Sequence, residues 1–61
     1  MTNYRVDLLD RHGRILTSVD VQYDSDEAAE IDVAARLRGA PAELWSGDRL
    51  VRRFRRVRDE A

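Results

Sequence analysis

Cysteine is absent from this chain of 61 residues, which excludes a disulfide staple and a thiolate metal site. Lysine is absent as well, since all 11 basic residues are arginine. There is one histidine, one proline and only four aromatic residues. No apolar stretch approaches the roughly 20 residues of a membrane-crossing helix. The opening MTNYRVDLLD is acidic and alternating, so it cannot act as the apolar centre of a secretory leader, and a cytoplasmic location is expected. A domain this short buries only about 60% of the surface its unfolded chain exposes. With no staple to offset that, a second copy completing the core is expected.

What the chain does have is charge. Acids and arginines make up 38% of it, yet the formal net charge is only −1. The signs are segregated: residues 1–48 carry five Arg and ten acids, residues 49–61 six Arg and two acids. Guanidinium groups suit bidentate phosphate recognition. A lysine shortage that runs through the whole chain is better explained by codon usage in a GC-rich genome.

The apolar residues recur with clear periods. "YRVDLL" alternates with Tyr4, Val6 and Leu8 on one face, the period of a half-buried strand. Asp10 and Gly13 then suit the first and last positions of a turn that closes a hairpin with a bulge. In the second strand Ile15, Thr17, Val19, Val21 and Tyr23 share a face. Residues 25–38 predict a helix, capped by Asp24 or Ser25 and stopped by a left-handed Gly39 and by Pro41. It carries two apolar stripes, Ala28/Ile31/Ala34/Ala35 and Ala29/Val33/Leu37. One small sheet needs only one stripe. The second, Ala29, Val33 and Leu37, extends the core sideways or forms a contact surface, and it is assigned to self-association.

"ELW" resumes as a strand, and "SGD" turns the chain into "RLVRRFRRVR", with six arginines in ten positions. That segment fits both the helical and the strand period. A helix there would set arginines at its positive end and Asp59 and Glu60 at its negative end, which is unfavourable. The strand reading is preferred, through Arg53 or Phe54, with Leu50 and Phe54 sharing a face and Val51 on the other. The result is an α+β domain of ββαββ order over residues 1–55. Its expected sheet is four-stranded and antiparallel in order 2-1-3-4, with one helix on one face. Residues 56–61 are expected to form a frayed tail, basic and then acidic.

These segments resemble a family of short uncharacterised proteins from proteobacteria, mainly alpha-proteobacteria. The family shares a Y-x-V-x-x-L-D-x-x-G-x-I start, an Asp-Glu-Ala helix start and an E-L-W-x-x-x-R-L-V-R/K-R-F end. The resemblance covers nearly the whole chain and implies no activity, ligand or catalytic residue. It favours Arg49–Phe54 as part of the folded domain.

Candidate chemistry is sparse. His12 falls at a turn tip without a second group to orient it, so no catalytic residue is assigned. Asp24, Asp26, Glu27 and Glu30 lack the spacing and central glycine of a calcium loop and are read as helix-start charges, so no metal or cofactor is assigned. Trp45, like Tyr4, Tyr23 and Phe54, is expected to fill the core. The arginine cluster is the strongest functional signal: Arg52, Arg53, Arg55, Arg56 and Arg58 could contact nucleic acid or an acidic partner. A pI near 5.7 counts against a dedicated nucleic-acid domain. The expectation is a non-enzymatic binding or adaptor module that forms a homodimer, with nucleic-acid association as the alternative. Neither a membrane nor a small-molecule partner is indicated.

Overall fold

A computed structural model of the chain describes residues 1–55. The elements run β1 (Thr2–Leu9), β2 (Ile15–Tyr23), α1 (Asp26–Leu37), β3 (Ala42–Ser46) and β4 (Arg49–Phe54). The four strands form one antiparallel sheet in the order β2-β1-β3-β4, the α+β arrangement that the sequence predicts. The tail at 56–61 lies outside the described residues.

Side-chain chemistry sets each reversal. Asp10 closes the first turn by accepting the amides of His12 and Arg14 on Oδ1, at 2.8 and 2.9 Å. Gly13 then takes φ 81°, a left-handed value that costs glycine nothing. A bulge follows: Leu8 faces Thr17 and Leu9 faces Ile15, so Leu16 is the extra residue. Ile15 therefore swings off the face it was expected to share with Thr17 and Val19.

Ser25, rather than Asp24, caps α1, its Oγ accepting the Ala28 amide at 3.1 Å. Asp26 and Glu27 lie in the first turn and Arg36 in the last, as the helix dipole favours. The left-handed exit begins one residue earlier than expected, at Arg38 (φ 54°), and continues through Gly39 (φ 88°). Between β3 and β4, Gly47 takes φ 61° at the first central position, where a type II′ hairpin turn requires glycine.

The core lies between α1 and one face of the sheet. It comprises Tyr4 and Val6 from β1, Ala42 and Leu44 from β3, and Ala29 and Val33 from the helix. Ala29 and Ala42 are fully enclosed, and their small size lets the helix rest close on the sheet. Leu44 is the largest side chain wholly out of solvent, a burial worth about 1.5–3 kcal/mol.

This core corrects the assignment of the helix stripes. Ala29 and Val33 are core residues and Leu37 packs against them, so they do not form a surface for a second copy. The stripe left outside is Ala28, Ile31, Ala34 and Ala35, with Ile31 67% exposed. In this rotation Asp26 and Glu30 turn toward β4 and reach Arg49 and Arg52.

Candidate functional site

The arginine-rich segment is a strand, and a second bulge determines where its side chains go. Leu44 faces Arg52 and Trp45 faces Leu50, which leaves Val51 as the extra residue. Leu50 consequently sits opposite Trp45 on the helix-free face, while Phe54 and Val51 pack against the core. The expected sharing of a face by Leu50 and Phe54, with Val51 opposite, is thus corrected: simple alternation does not survive a bulge.

Three arginines of β4 meet carboxylates of the same chain. Arg49 binds Asp26 through both terminal nitrogens, at 2.9 and 3.2 Å. Arg52 reaches Glu30 at 3.1 Å, and its guanidinium lies 5.4 Å from the centre of the Phe54 ring. On the other side of the sheet Arg53 donates to Glu43 at 3.1 Å. Tyr4 adds its hydroxyl to Asp26 at 2.7 Å. The Arg49 and Tyr4 hydrogen bonds hold the Asp26 carboxyl below its ordinary range. The same carboxylate, aided by burial, pushes the Tyr4 hydroxyl up.

The opposite flank of the helix mirrors this arrangement with different surroundings. Tyr23 donates to Asp32, which also accepts Arg36 Nε at 2.9 Å. The Tyr23 and Arg36 hydrogen bonds lower the Asp32 carboxyl, and the bond to Asp32 raises the Tyr23 hydroxyl. Beside this triad runs a groove of about 210 Å³ between α1 and β2, lined by Val6, Leu8, Val19, Val21, Val33 and Leu37 among others.

The helix-free face carries a polar network. Asp7 is 2% exposed and accepts from Ser18 Oγ at 2.7 Å and from Arg5 Nε at 3.0 Å on one oxygen. Glu43 is its cross-strand neighbour, a like charge whose repulsion is offset by Arg53 on one side and Arg5 on the other. Trp45 belongs to this face and not to the core, which corrects the expected role. Arg5 lies 5.7 Å from the centre of its ring, and its indole N–H points at Glu43 Oε1 at 3.3 Å.

The expected arginine cluster is therefore divided. Arg52 and Arg53 lie on opposite faces of the sheet. Both reappear with Arg55 around a groove of about 380 Å³ by the C-terminal end of α1. Arg56 and Arg58 lie outside the described residues. What the sequence reading missed is the acid partners, because Asp26 and Glu30 were assigned only to the helix dipole. Their spacing of four residues, which sets both on one face of the helix, was the available signal.

Among the described residues no group of three His, Cys, Asp or Glu side chains gathers to hold a metal ion. No helix among them is long and apolar enough to cross a membrane. No protein-family model, curated protein or solved structure matches the chain.

Proposed function

We propose that the protein is a small, non-enzymatic binding or adaptor module that associates with itself and acts in the cytoplasm. The observation that carries this reading is the engagement of the β4 arginines. Arg49, Arg52 and Arg53 each lie 2.9–3.1 Å from a carboxylate of the same chain. Guanidinium groups committed in this way act as a clasp between β4, α1 and β3, and would have to leave those partners to take up phosphate. The resemblance to the short proteobacterial proteins is consistent with such a role. Its motif residues Tyr4, Val6 and Leu44 are core residues, and Gly13 is a turn residue with positive φ.

Light scattering of the full chain at micromolar concentration tests the reading. The expected mass is that of a dimer, and a monomer throughout the range would sink self-association.

Nucleic-acid association is the alternative, supported by the groove where Arg52, Arg53 and Arg55 converge. Fluorescence anisotropy of labelled duplex DNA, single-stranded DNA and RNA at two salt concentrations separates the two. The module reading expects no binding even at low salt. Binding that falls steeply with salt and vanishes when Arg52–Arg58 are neutralised would favour the alternative.

A further inference from the structure

We infer that the outer edge of β2 is the surface on which two copies of this chain join, pairing β2 with β2 about a two-fold axis at Val19. The inference rests on the self-associating reading above and gives it a place on the molecule. Among the described residues β2 pairs with β1 alone, so its far side presents unpaired backbone amides and carbonyls. A row of such groups is a template for another strand unless something guards it.

Guards are present on β4 and scarce on β2. β4 is short and carries three arginines. β2 runs nine residues, ILTSVDVQY, with Asp20 as its single charge. It also exposes Ile15 at 58%, Leu16 at 68% and Val19 at 46%. Next to it lies the groove of Val6, Leu8, Val19, Val21, Val33 and Leu37, whose outer wall the helix does not cover. A strand added at this edge would set alternate side chains along the mouth of that groove, as strand addition generally does.

The strand suits its own image. Antiparallel pairing centred on Val19 aligns Thr17–Val21 of the two copies, and the bulge at Leu16 ends the regular register there. In that register Asp20 lies opposite Ser18 of the second copy and Thr17 opposite Val21. Centring on Asp20 instead would oppose two carboxylates, which is destabilising. An isologous contact of this kind closes at two subunits and leaves outside only the two β4 edges, which their arginines guard. The strand is about 30 Å long. A contact one sheet thick over at most that length is small beside the roughly 1,600 Å² of a standard interface, so the association should depend on concentration.

Sedimentation equilibrium of the full chain across micromolar concentrations, with variants at each edge, tests this. Val19→Lys sets two ammonium groups at the axis and should weaken the dimer roughly 100-fold. Leu50→Lys on β4 should leave the mass unchanged, with far-UV circular dichroism confirming that both variants fold. Because the chain has no cysteine, Val19→Cys alone should oxidise to a covalent dimer and Leu50→Cys should not. That pair decides the matter if Val19→Lys fails to fold. A wild-type dimer that survives Val19→Lys in folded form, or that cross-links through Leu50→Cys instead, overturns the β2 edge but leaves self-association standing. A wild-type monomer at every concentration overturns both.

Discussion

β2 and β4 are the two edges of one sheet, nine and six residues long, and they hold the helix by different means. On the β4 flank Asp26 and Glu30 are bound by Arg49 and Arg52, so charge fastens the helix to the strand. On the β2 flank a single tyrosine, Tyr23, reaches Asp32, and apolar surface is left open beside it. A short strand crowded with arginine cannot easily accept a neighbour, whereas a long one with a single acid can. The difference teaches that Arg49, Arg52 and Arg53 spend their charge on carboxylates of the same molecule, whereas the β2 flank leaves hydrogen-bonding edge and apolar side chains open among the described residues.

The largest expected effect comes from cutting the joint that both edges share. Leu44→Ala removes the fully buried side chain at the sheet centre and should cost about 2–5 kcal/mol, enough to unfold much of a domain this small. Urea denaturation followed by circular dichroism reads it. If the loss is under 1 kcal/mol by that measure, the centre does not bear on either edge.

Next come the helix stripes. Val33→Ala should destabilise by about 1–3 kcal/mol, as truncation of a buried branched side chain does, while Ile31→Ala should stay within about 0.5 kcal/mol. Equal effects at the two positions would mean that the helix is rotated from the orientation described.

A pH titration of stability then separates the flanks. Asp26 and Asp32 have folded values below the ordinary 3.8. Their contribution is therefore complete above that value and is lost as pH falls through the lower folded values. Tyr4 and Tyr23 have folded values above the ordinary 10.0, so their contribution is complete below it and is lost as pH rises through the raised values. Stability should form a plateau between these limits. Asp26→Asn and Asp32→Asn should each flatten part of the acid limb, the first by releasing β4 and the second by releasing β2. An acid limb that neither variant changes would assign it to other carboxylates.

The smallest effect belongs to the exposed pairs. Arg52→Ala and Arg53→Ala should each cost about 0.2–1 kcal/mol and less in high salt, as surface ion pairs do. Thermal melts at low and high salt measure this, and a salt-independent loss would point to packing of the arginine stems instead.

Much of the fold was legible because local signals agreed. Strand alternation, the Asp10 turn, the Ser25 cap and the glycine at position 47 each fixed one element, and sheet order followed from the direction of the helix. The site was less legible. Two bulges each insert one residue, and inserting one residue reverses the face of everything beyond it, so Leu50, Val51 and Ile15 were placed wrongly by simple alternation, while Phe54 fills the core as expected. The helix stripes were exchanged for a similar reason. Ala29/Val33/Leu37 and Ala28/Ile31/Ala34/Ala35 are both apolar, and only the reach of Asp26 and Glu30 to β4 selects between them. Trp45 shows the remaining limit, since an aromatic side chain can be sheltered by a neighbouring guanidinium as well as by a core.

The pairing of β1 with β3 also sets an order in time. Each hairpin can close by itself within microseconds, but a lone two-stranded hairpin is marginal in water. Stability arrives only when Val6 meets Leu44, which joins strands from opposite ends of the sequence and closes the longest loop in the domain. That step should dominate the folding barrier, so substitutions at Val6 and Leu44 should slow folding, while those on β2 and β4 should mainly speed unfolding. Stopped-flow refolding of the two classes reads the distinction directly. During synthesis the same order applies: the first hairpin leaves the ribosome with most of its core missing, and must wait for the last third of the chain before it can stay folded.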